Sequence, residues 1–258
     1  MRVRPLRLML SLSLLLLASA CATGPDRNPA DPFEPANRAV FSFNDTLDRT
    51  VITPVAKGYN TVTPSPVRTA IKNFFANLGD VNNLANDLLQ GKVAAGIEDL
   101  MRLSMNTVLG IGGLIDIATP GGLPRHDQDF GLTLGHWGVA SGPYLVLPLF
   151  GPNTARDAVG MAVDIQLDPS TYAASAVRNS LFGVNVVSTR AHYLDATNLL
   201  EKAALDKYSF VRDAYLGRRR SQLEGASQSQ VLPDYGDDPE GANAAPAAAP
   251  AASPAPAK

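Results

Sequence analysis

Cysteine, histidine and charged residues are all scarce in this sequence. One of its 258 residues is cysteine, three are histidine, and 18% are charged, against roughly 25% in soluble domains. A single cysteine excludes a framework of disulfides within the chain. The histidines, His126, His136 and His192, lack the paired spacing of a catalytic zinc site. We therefore expect neither a metal ion nor another cofactor.

A strong excess of charge of one sign is also missing. The formal net charge is −2, which gives no footprint for nucleic acid. The one short basic cluster, Arg218 to Arg220, is interpreted as a solvated helix end, where cations complement the helix dipole. We expect no nucleic-acid partner.

Long hydrophobic runs are absent after residue 21. No stretch there approaches the about 18 apolar residues of a membrane-spanning helix, although 45% of the chain is hydrophobic. With so few charged residues, apolar side chains are left over once a core is filled. We expect this excess to lie in amphipathic helices.

Motifs of catalysis are missing as well. Ser141 stands one place too late for the GxSxG pattern of a nucleophilic serine. The run Gly110-Ile111-Gly112-Gly113 lacks the lysine and the strand–helix context of a phosphate-binding loop. His126, Asp127 and Asp129 could form an acid–base cluster, but charged loop residues are usually just solvated. We expect a protein that is not an enzyme.

The N-terminus has the order of a secretory signal peptide. Three arginines within the first seven residues precede an apolar core from Leu8 to Leu17, and small residues follow at 18–20. The apolar core is too short to span a bilayer comfortably. We assign residues 1–20 as a cleaved lipoprotein signal peptide that takes no part in the fold.

Cys21 resembles the acylated cysteine of a bacterial lipobox, although Ala18 stands where that motif usually has leucine. The alternative is a secreted protein with a stray cysteine, but a lone thiol is a liability in an oxidising compartment. We predict lipidation of Cys21, for example with palmitate, and a lipidated linker over residues 21–30. Since Ala22 rather than aspartate follows, the resemblance implies the periplasmic side of a Gram-negative outer membrane.

Residues 31–225 are predicted to form one mainly α-helical domain, followed by a disordered Ala/Pro-rich tail at 226–258. Asp31-Pro32-Phe33-Glu34 predicts a helix start with Asp31 as N-cap. Ser65-Pro66 starts a second apolar stripe that stops at Gly91. A third stripe runs from Ile97 to Val108 and ends at Gly110, Gly112 and Gly113.

The middle of the domain, Thr119 to Pro152, is rich in glycine and proline and predicts an irregular insert. We expect extended or looped backbone over Phe130–Gly138 and a short β-hairpin near Tyr144–Leu149. Thr154 is a predicted N-cap. Further helices are predicted at 174–194, with Gly183 as a candidate break, and at 196–204 and 208–223.

Several segments resemble the MlaA/VacJ family of outer-membrane lipoproteins, in the same order and over about residues 30–220. They are Asp31-Pro32-Phe33-Glu34 with Asn37-Arg38, Phe43-Asn44 and Leu47-Asp48, the segment Asn106–Asp116, Phe130–Gly138, Gly142-Pro143-Tyr144, Thr189-Arg190-Ala191 with Leu194-Asp195, and Val211–Tyr215.

This resemblance implies a ring of amphipathic helices embedded in one membrane leaflet around an amphipathic channel. Mislocalised phospholipids would pass from the outer leaflet through it to a periplasmic carrier of the MlaC kind, which maintains lipid asymmetry. It also implies association with a trimeric porin.

The functional residues that follow are hypotheses. Phe41 and Phe43 would help to hold the channel closed, and the turn formed by Gly110, Gly112 and Gly113 would bend the chain at membrane depth. Arg156 and Arg190 would contact lipid head groups or form internal ion pairs, and we favour the ion pairs.

Three classes of protein remain open from the residues alone. Periodicity by itself favours apolar stripes that pack a soluble core, as in most amphipathic helices, which would suit an envelope scaffold lipoprotein without a channel. An envelope hydrolase would need a nucleophile, and the sequence offers none that we can name. The low charge, the anchor and the family resemblance favour lipid transport.

Overall fold

The computed structural model describes residues 28–197 and 204–224. The predicted signal peptide, Cys21, most of the predicted linker, part of the predicted helix at 196–204 and the predicted tail lie outside the described residues. No helix in the described part of the chain has the length and apolar character needed to cross a membrane.

The described chain is mainly α-helical and carries a short antiparallel hairpin, which confirms the predicted fold class. The helices are α1 (Glu34–Leu47), α2 (Thr53–Val62), α3 (Ser65–Leu89), α4 (Val93–Val108), α5 (Phe130–His136), α6 (Ala155–Leu167), α7 (Ser175–His192) and α8 (Lys207–Leu223), and the strands β1 (Tyr144–Leu147) and β2 (Gly151–Thr154) lie between α5 and α6.

Helix α1 begins close to the predicted start, but the predicted N-cap was wrong. The cap position is Phe33, which makes no side-chain hydrogen bond to the helix end. Asp31 is fully buried and accepts hydrogen bonds from Asn37 Nδ2 (2.8 Å) and from the Tyr208 hydroxyl. A buried carboxylate needs several donors, and here they come from α1 and α8 rather than from the helix end.

Helix α2 was not predicted. A π-helical turn, Asp48–Ile52, joins α1 to α2, and Pro54 lies in the first turn of α2. Proline is tolerated there because its missing N–H has no partner in a first turn anyway.

Helices α3 and α4 form an antiparallel pair. The ends of α3 lie close to the predicted ones, whereas α4 begins four residues before the predicted start at Ile97 and ends at the predicted Val108. Gly91, with φ +74°, terminates α3 because its left-handed conformation suits glycine. Asn77 Nδ2 donates to Thr107 Oγ1 across the pair at 3.0 Å.

The prediction of extended or looped backbone over Phe130–Gly138 was wrong, because most of that segment is helix α5. Asp129 caps the helix by accepting a hydrogen bond from the Leu132 amide at 2.8 Å. A Cβ on Gly160 would lie 2.3 Å from the Gly131 amide nitrogen. These glycines therefore serve close packing of α5 on α6 rather than a break in the chain.

The predicted hairpin and the predicted cap of α6 are confirmed. Tyr144 pairs with Thr154 and Leu147 with Gly151. Thr154 then caps α6 by accepting from the Asp157 amide at 3.1 Å.

Helix α7 runs unbroken through Gly183, so the candidate break does not exist. A lone glycine in a helix costs only about 1 kcal/mol.

The hydrophobic core of the described residues is small. One cluster contains Ala56, Ala191 and Leu194. The other contains Tyr144, Val146 and Tyr208, against which Phe41 and Tyr215 pack. Both clusters draw on the last third of the chain, and neither includes a side chain of α3 or α4.

Candidate functional site

Helices α3 and α4 bury polar side chains and expose apolar ones. On α3, the most buried side chains are polar or charged and recur at the three/four spacing of one helix face. They are Asn77, Asp80, Asn83, Asn86 and Asp87, and the buried Gln90 follows directly after the helix. On α4, the buried side chains are Asp99, Arg102 and Asn106. The interior between these helices is therefore polar.

The opposite faces of the same helices carry large hydrophobic side chains that are about half exposed or more. They are Val67, Leu88 and Leu89 on α3 and Val93, Ile97, Leu100, Met101 and Val108 on α4. This is the reverse of a water-soluble helix pair, which buries its apolar stripe. An exposed apolar surface of this extent marks a contact with a membrane or a partner.

The apolar surface continues around the turn that follows α4. Ile111 is 66% exposed and adopts a φ of +55°, which is strained for a β-branched residue. A Cβ on Gly113, where φ is +89°, would lie 2.7 Å from the Asn77 side chain. We call residues 108–115 the apolar tip, since Leu109, Leu114 and Ile115 are also exposed.

Asparagine side chains of α3 form hydrogen bonds that connect this helix to neighbouring elements. Asn83 donates to the His126 carbonyl at 2.7 Å and accepts from the Gln128 amide. Asn86 accepts from Thr133 Oγ1 on α5 at 2.7 Å. Its Nδ2 donates to Asp164 on α6. The polar face of α3 thus holds α5, α6 and the segment before α5 in place.

The pKa values of two buried acids on α6 are shifted in opposite directions. Burial raises the pKa of Asp164 to about 6, although the hydrogen bond from the Phe130 amide opposes the shift. Burial also raises the pKa of Asp157, but hydrogen bonds from Arg219 and Tyr215 outweigh it and hold the pKa at about 2. At neutral pH Asp157 therefore stays ionised, whereas the pKa of Asp164 lies close to neutral pH.

Four cavities lined by described residues lie next to one another among the helices. Cavity A, of about 320 Å³, lies between α6 and α8, and cavity B, of about 330 Å³, lies between α6 and α7. Cavity C, of about 210 Å³, lies between α3 and α7, and cavity D, of about 300 Å³, lies beside α7 near Asp48. Each shares at least one lining residue with the next.

The shared lining residues place the cavities next to one another in the order A, B, C, D. Phe150 lines A and B. Phe75 lines B and C, and Asn185 lines B, C and D. We call these four spaces the cavity series.

The cavity series combines apolar walls with cations. Phe75, Leu181 and Phe182 contribute apolar surface to cavity B. Arg178 lines the same cavity and, among the described residues, donates a hydrogen bond to the Thr171 carbonyl alone, at 3.4 Å. Lys72 lines cavity C, and its Nζ lies 3.2 Å from His192 Nε2. Within residues 28–197 and 204–224, neither cation forms an ion pair with a carboxylate.

The sequence also matches a known protein family. The pattern of the MlaA lipoprotein family matches residues 29–222 of the chain. The chain belongs to the MlaA lipoprotein family. The resemblance of the sequence segments to that family is thereby confirmed.

Named relatives and a solved structure agree. The intermembrane phospholipid transport system lipoprotein MlaA of Escherichia coli K12 is 36% identical over 81% of this chain and 85% of its own length. The protein of that name from Shigella flexneri is 35% identical over the same shares. A solved structure concerned with the maintenance of bacterial outer membrane lipid asymmetry superposes with a TM-score of 0.68. It is 36% identical and covers 76% of this chain and 100% of its own.

The two phenylalanines singled out in this MlaA family member occupy different environments. Phe41 packs edge-on against Tyr208 with ring centroids 5.6 Å apart and belongs to the second hydrophobic cluster. Phe43 is 56% exposed. Neither lines the cavity series. Their role as a gate stays a prediction.

The two candidate arginines are both engaged in ion pairs. Arg156 is buried and donates from Nε and Nη2 to Asp157 Oδ1 at 3.1 and 3.0 Å. Arg190 forms a bidentate pair with Asp48, at 2.7 and 2.9 Å, and also lines cavity D.

The candidate acid–base residues are separated by their partners. His126 Nδ1 lies 2.9 Å from Asp99 Oδ1 on α4, whereas Asp127 pairs with Arg218 and Asp129 with Arg219. Arg219 is buried, so the interpretation of this basic cluster as wholly solvated was wrong. The guanidinium of Arg219 can be buried because Asp129 and Asp157 both accept hydrogen bonds from it.

Sequence reasoning did not single out Lys72, Arg178 or Asn185, which line the cavities. Each lies in a helix that was predicted, but no local motif marks it. The available signal was a cation or amide on the polar side of an amphipathic helix, which is common on any solvated surface.

Proposed function

We propose that this chain is an outer-membrane lipoprotein that maintains lipid asymmetry as part of an intermembrane phospholipid transport system. It passes mislocalised phospholipids from the outer leaflet through the cavity series to a periplasmic carrier of the MlaC kind. The observation that carries the proposal is the inverted arrangement of α3 and α4, together with the amphipathic cavity series beside it.

The exposed apolar faces support a position within one leaflet. The half-exposed hydrophobic side chains of α3 and α4 continue into the apolar tip. Contact with acyl chains would remove this surface from water, at about 25 cal/mol per Å² of apolar area. Lipidation at Cys21 would then be a second attachment, because several acyl chains on one residue hold a protein firmly at a membrane. A ring of helices in one leaflet is the arrangement we propose.

The chemistry of the cavity series supports a phospholipid as its cargo. A phospholipid combines a phosphate group with acyl chains, and one passage has to accept both. Lys72 and Arg178 offer cations for the phosphate, and charge-assisted hydrogen bonds are the strong ones for such an anion. Phe75, Phe150 and Phe182 offer apolar surface for the chains.

The proposed partners follow from family membership. Relatives are named as lipoproteins of an intermembrane phospholipid transport system, and such a system requires a periplasmic carrier. We also propose a trimeric porin as the membrane partner.

A steric block of the cavity series tests the proposal. Asn185→Trp would place an indole where cavities B, C and D meet. We expect this variant to leave surface-exposed phospholipid at the level of a strain that lacks the lipoprotein. The measurement is the labelling of surface phosphatidylethanolamine by an amine reagent that does not cross the outer membrane.

Val184→Trp is the matched control, because Val184 neighbours Asn185 on α7 but does not line the cavity series. It should restore wild-type labelling at equal abundance in the outer membrane. If Asn185→Trp restores labelling equally well at equal abundance, phospholipids do not pass through these cavities.

A further inference from the structure

Asp87, Asp99 and His126 converge at one point beneath α3 and α4. One ligand atom from each lies within 4.8 Å of the other two. His126 Nδ1 is 2.9 Å from Asp99 Oδ1 and 3.8 Å from Asp87 Oδ2. The three residues come from α3, from α4 and from the segment that precedes α5.

The carboxylates of this cluster are buried without adequate partners. Asp87 and Asp99 are both 0% exposed. Neither oxygen of Asp87 accepts a hydrogen bond from the described residues, and neither does Asp99 Oδ2. Buried carboxylates are normally paired, hydrogen-bonded or bound to a metal, because an uncompensated buried charge is costly. Arg102, which lies three positions after Asp99 on α4, faces Asp80 and Thr119 instead.

We propose that Asp87, Asp99 and His126 bind a divalent cation of the zinc class. Two carboxylates and a neutral imidazole neutralise the charge of such an ion, and they are ligands that zinc accepts. A tetrahedral zinc ion with bonds of about 2.1 Å holds its ligand atoms about 3.4 Å apart. The distances from His126 Nδ1 to Asp99 Oδ1 and to Asp87 Oδ2, 2.9 and 3.8 Å, lie on either side of this spacing. A water molecule completes the fourth position.

The ion has a structural role. It ties the segment containing His126 to the α3–α4 pair, where the His126 carbonyl already accepts a hydrogen bond from Asn83. Glu98 is positioned to hold the imidazole, with Oε2 3.6 Å from His126 Nε2. Carboxylates in this outer position orient metal-binding histidines.

This site departs from the sequence-based expectation of no metal. That expectation rested on the lack of paired histidines at the spacing of a zinc site. Here the ligands lie 12 and 27 positions apart along the chain, so only the packing of α3 on α4 brings them together. The site goes beyond lipid transport and does not depend on it.

Metal analysis of the full-length lipoprotein in detergent tests the proposal, with an affinity tag that contains no histidine. The protein is stripped with a chelator, incubated with Zn²⁺ and gel-filtered. We expect about one zinc ion per chain and a higher thermal midpoint than for the stripped protein. Cobalt substitution should give the visible absorption bands of a site with mixed nitrogen and oxygen ligands.

His126→Gln and Asp99→Asn should each abolish zinc retention, whereas the control His136→Gln should keep it. If His126→Gln fails to fold, X-ray absorption of the zinc-loaded wild type still decides, since one imidazole among oxygen ligands is required. The proposal is overturned if the wild type retains no more zinc than His126→Gln. It is also overturned if the wild type binds no zinc and Asp87→Asn is the more stable protein, as a proton shared between the two acids would require.

Discussion

The carboxylate of Asp31 accepts a hydrogen bond from the hydroxyl of Tyr208, 177 positions further along the chain. The contact is buried, and burial with this hydrogen bond raises the pKa of Tyr208 above its ordinary value. Arg212 Nη1 lies 3.4 Å from the same carboxylate. The start of α1 is thus fastened to α8.

Removal of this hydroxyl should destabilise the domain. We expect Tyr208→Phe to lower the free energy of unfolding by about 1–3 kcal/mol, because it leaves a buried carboxylate short of a donor. Guanidinium unfolding in detergent measures the change. Tyr172→Phe is the control, since the exposed Tyr172 hydroxyl donates to the Gln166 carbonyl, and its loss should cost no more than about 0.5 kcal/mol. Equal effects of the two variants would contradict the prediction.

The glycine turn after α4 should not tolerate a side chain. In Gly113→Ala, the new Cβ would meet Asn77 at 2.7 Å on a backbone with φ +89°. We expect a loss of more than about 1 kcal/mol in unfolding free energy. Gly183→Ala is the matched control, because nothing lies within 4 Å of its Cβ position and alanine favours a helix by about 1 kcal/mol. A Gly113→Ala protein as stable as wild type would refute this account of the turn.

Deletion of Phe43 should change phospholipid flux through the register of α1. Asn44 Nδ2 donates to the Leu147 carbonyl, and its Oδ1 accepts from the Leu149 amide, both at 2.9 Å. The deletion rotates the residues of α1 that follow position 43 by about 100° around the helix axis relative to those that precede it. It therefore breaks these contacts with the hairpin. Phe43→Ala keeps the register and should have a smaller effect. The measurement is the level of surface phospholipid in an intact envelope. An unchanged level in the deletion strain would contradict the prediction.

The cations of the cavity series should matter for transport without being needed for folding. We expect the double variant Lys72→Gln/Arg178→Gln to reduce lipid handling about fivefold, as loss of about 1 kcal/mol of phosphate binding implies. The measurement is the rate at which labelled phospholipid disappears from the cell surface after a pulse of label. Lys57→Gln, an exposed change that does not line the cavity series, should be neutral. Wild-type clearance by the double variant would exclude a role for these cations.

The apolar tip should contribute to membrane binding without the anchor. In a Cys21→Ser background, Ile111→Ser/Ile115→Ser should weaken flotation with phospholipid vesicles by at least about tenfold, since each buried isoleucine contributes about 1.5–3 kcal/mol. The valine pair, Ile111→Val/Ile115→Val, keeps an apolar tip and should bind nearly as well. If serine and valine variants float alike, the tip does not enter the bilayer.

Helix periodicity predicted α3 and α4 well, because both apolar and polar residues repeat along their faces. It could not say which face is buried, since the pattern is the same whether the apolar side meets a core or a membrane. Residues such as Leu100 and Ile97 therefore fitted a soluble core until their exposure was known.

Glycine-rich α5 was missed for a related reason. Gly131 and Gly135 read as helix breakers, yet a Cβ on Gly135 would lie 2.7 Å from Arg156 Nη1. The requirement comes from a neighbouring helix, which no local pattern contains. The cavity series is hidden in the same way, because its lining comes from α3, α6, α7 and α8.

The polar interior between α3 and α4 has a consequence for how the chain reaches its folded state. Collapse in water brings apolar side chains together, whereas this pair must keep Asp80, Arg102 and Asn106 inside and its leucines outside. In water, the hydrophobic effect thus favours burial of the apolar faces of α3 and α4, which are exposed in the folded protein. We expect assembly of the α3–α4 pair to be coupled to arrival at a membrane, so that the medium that receives the protein also selects its fold.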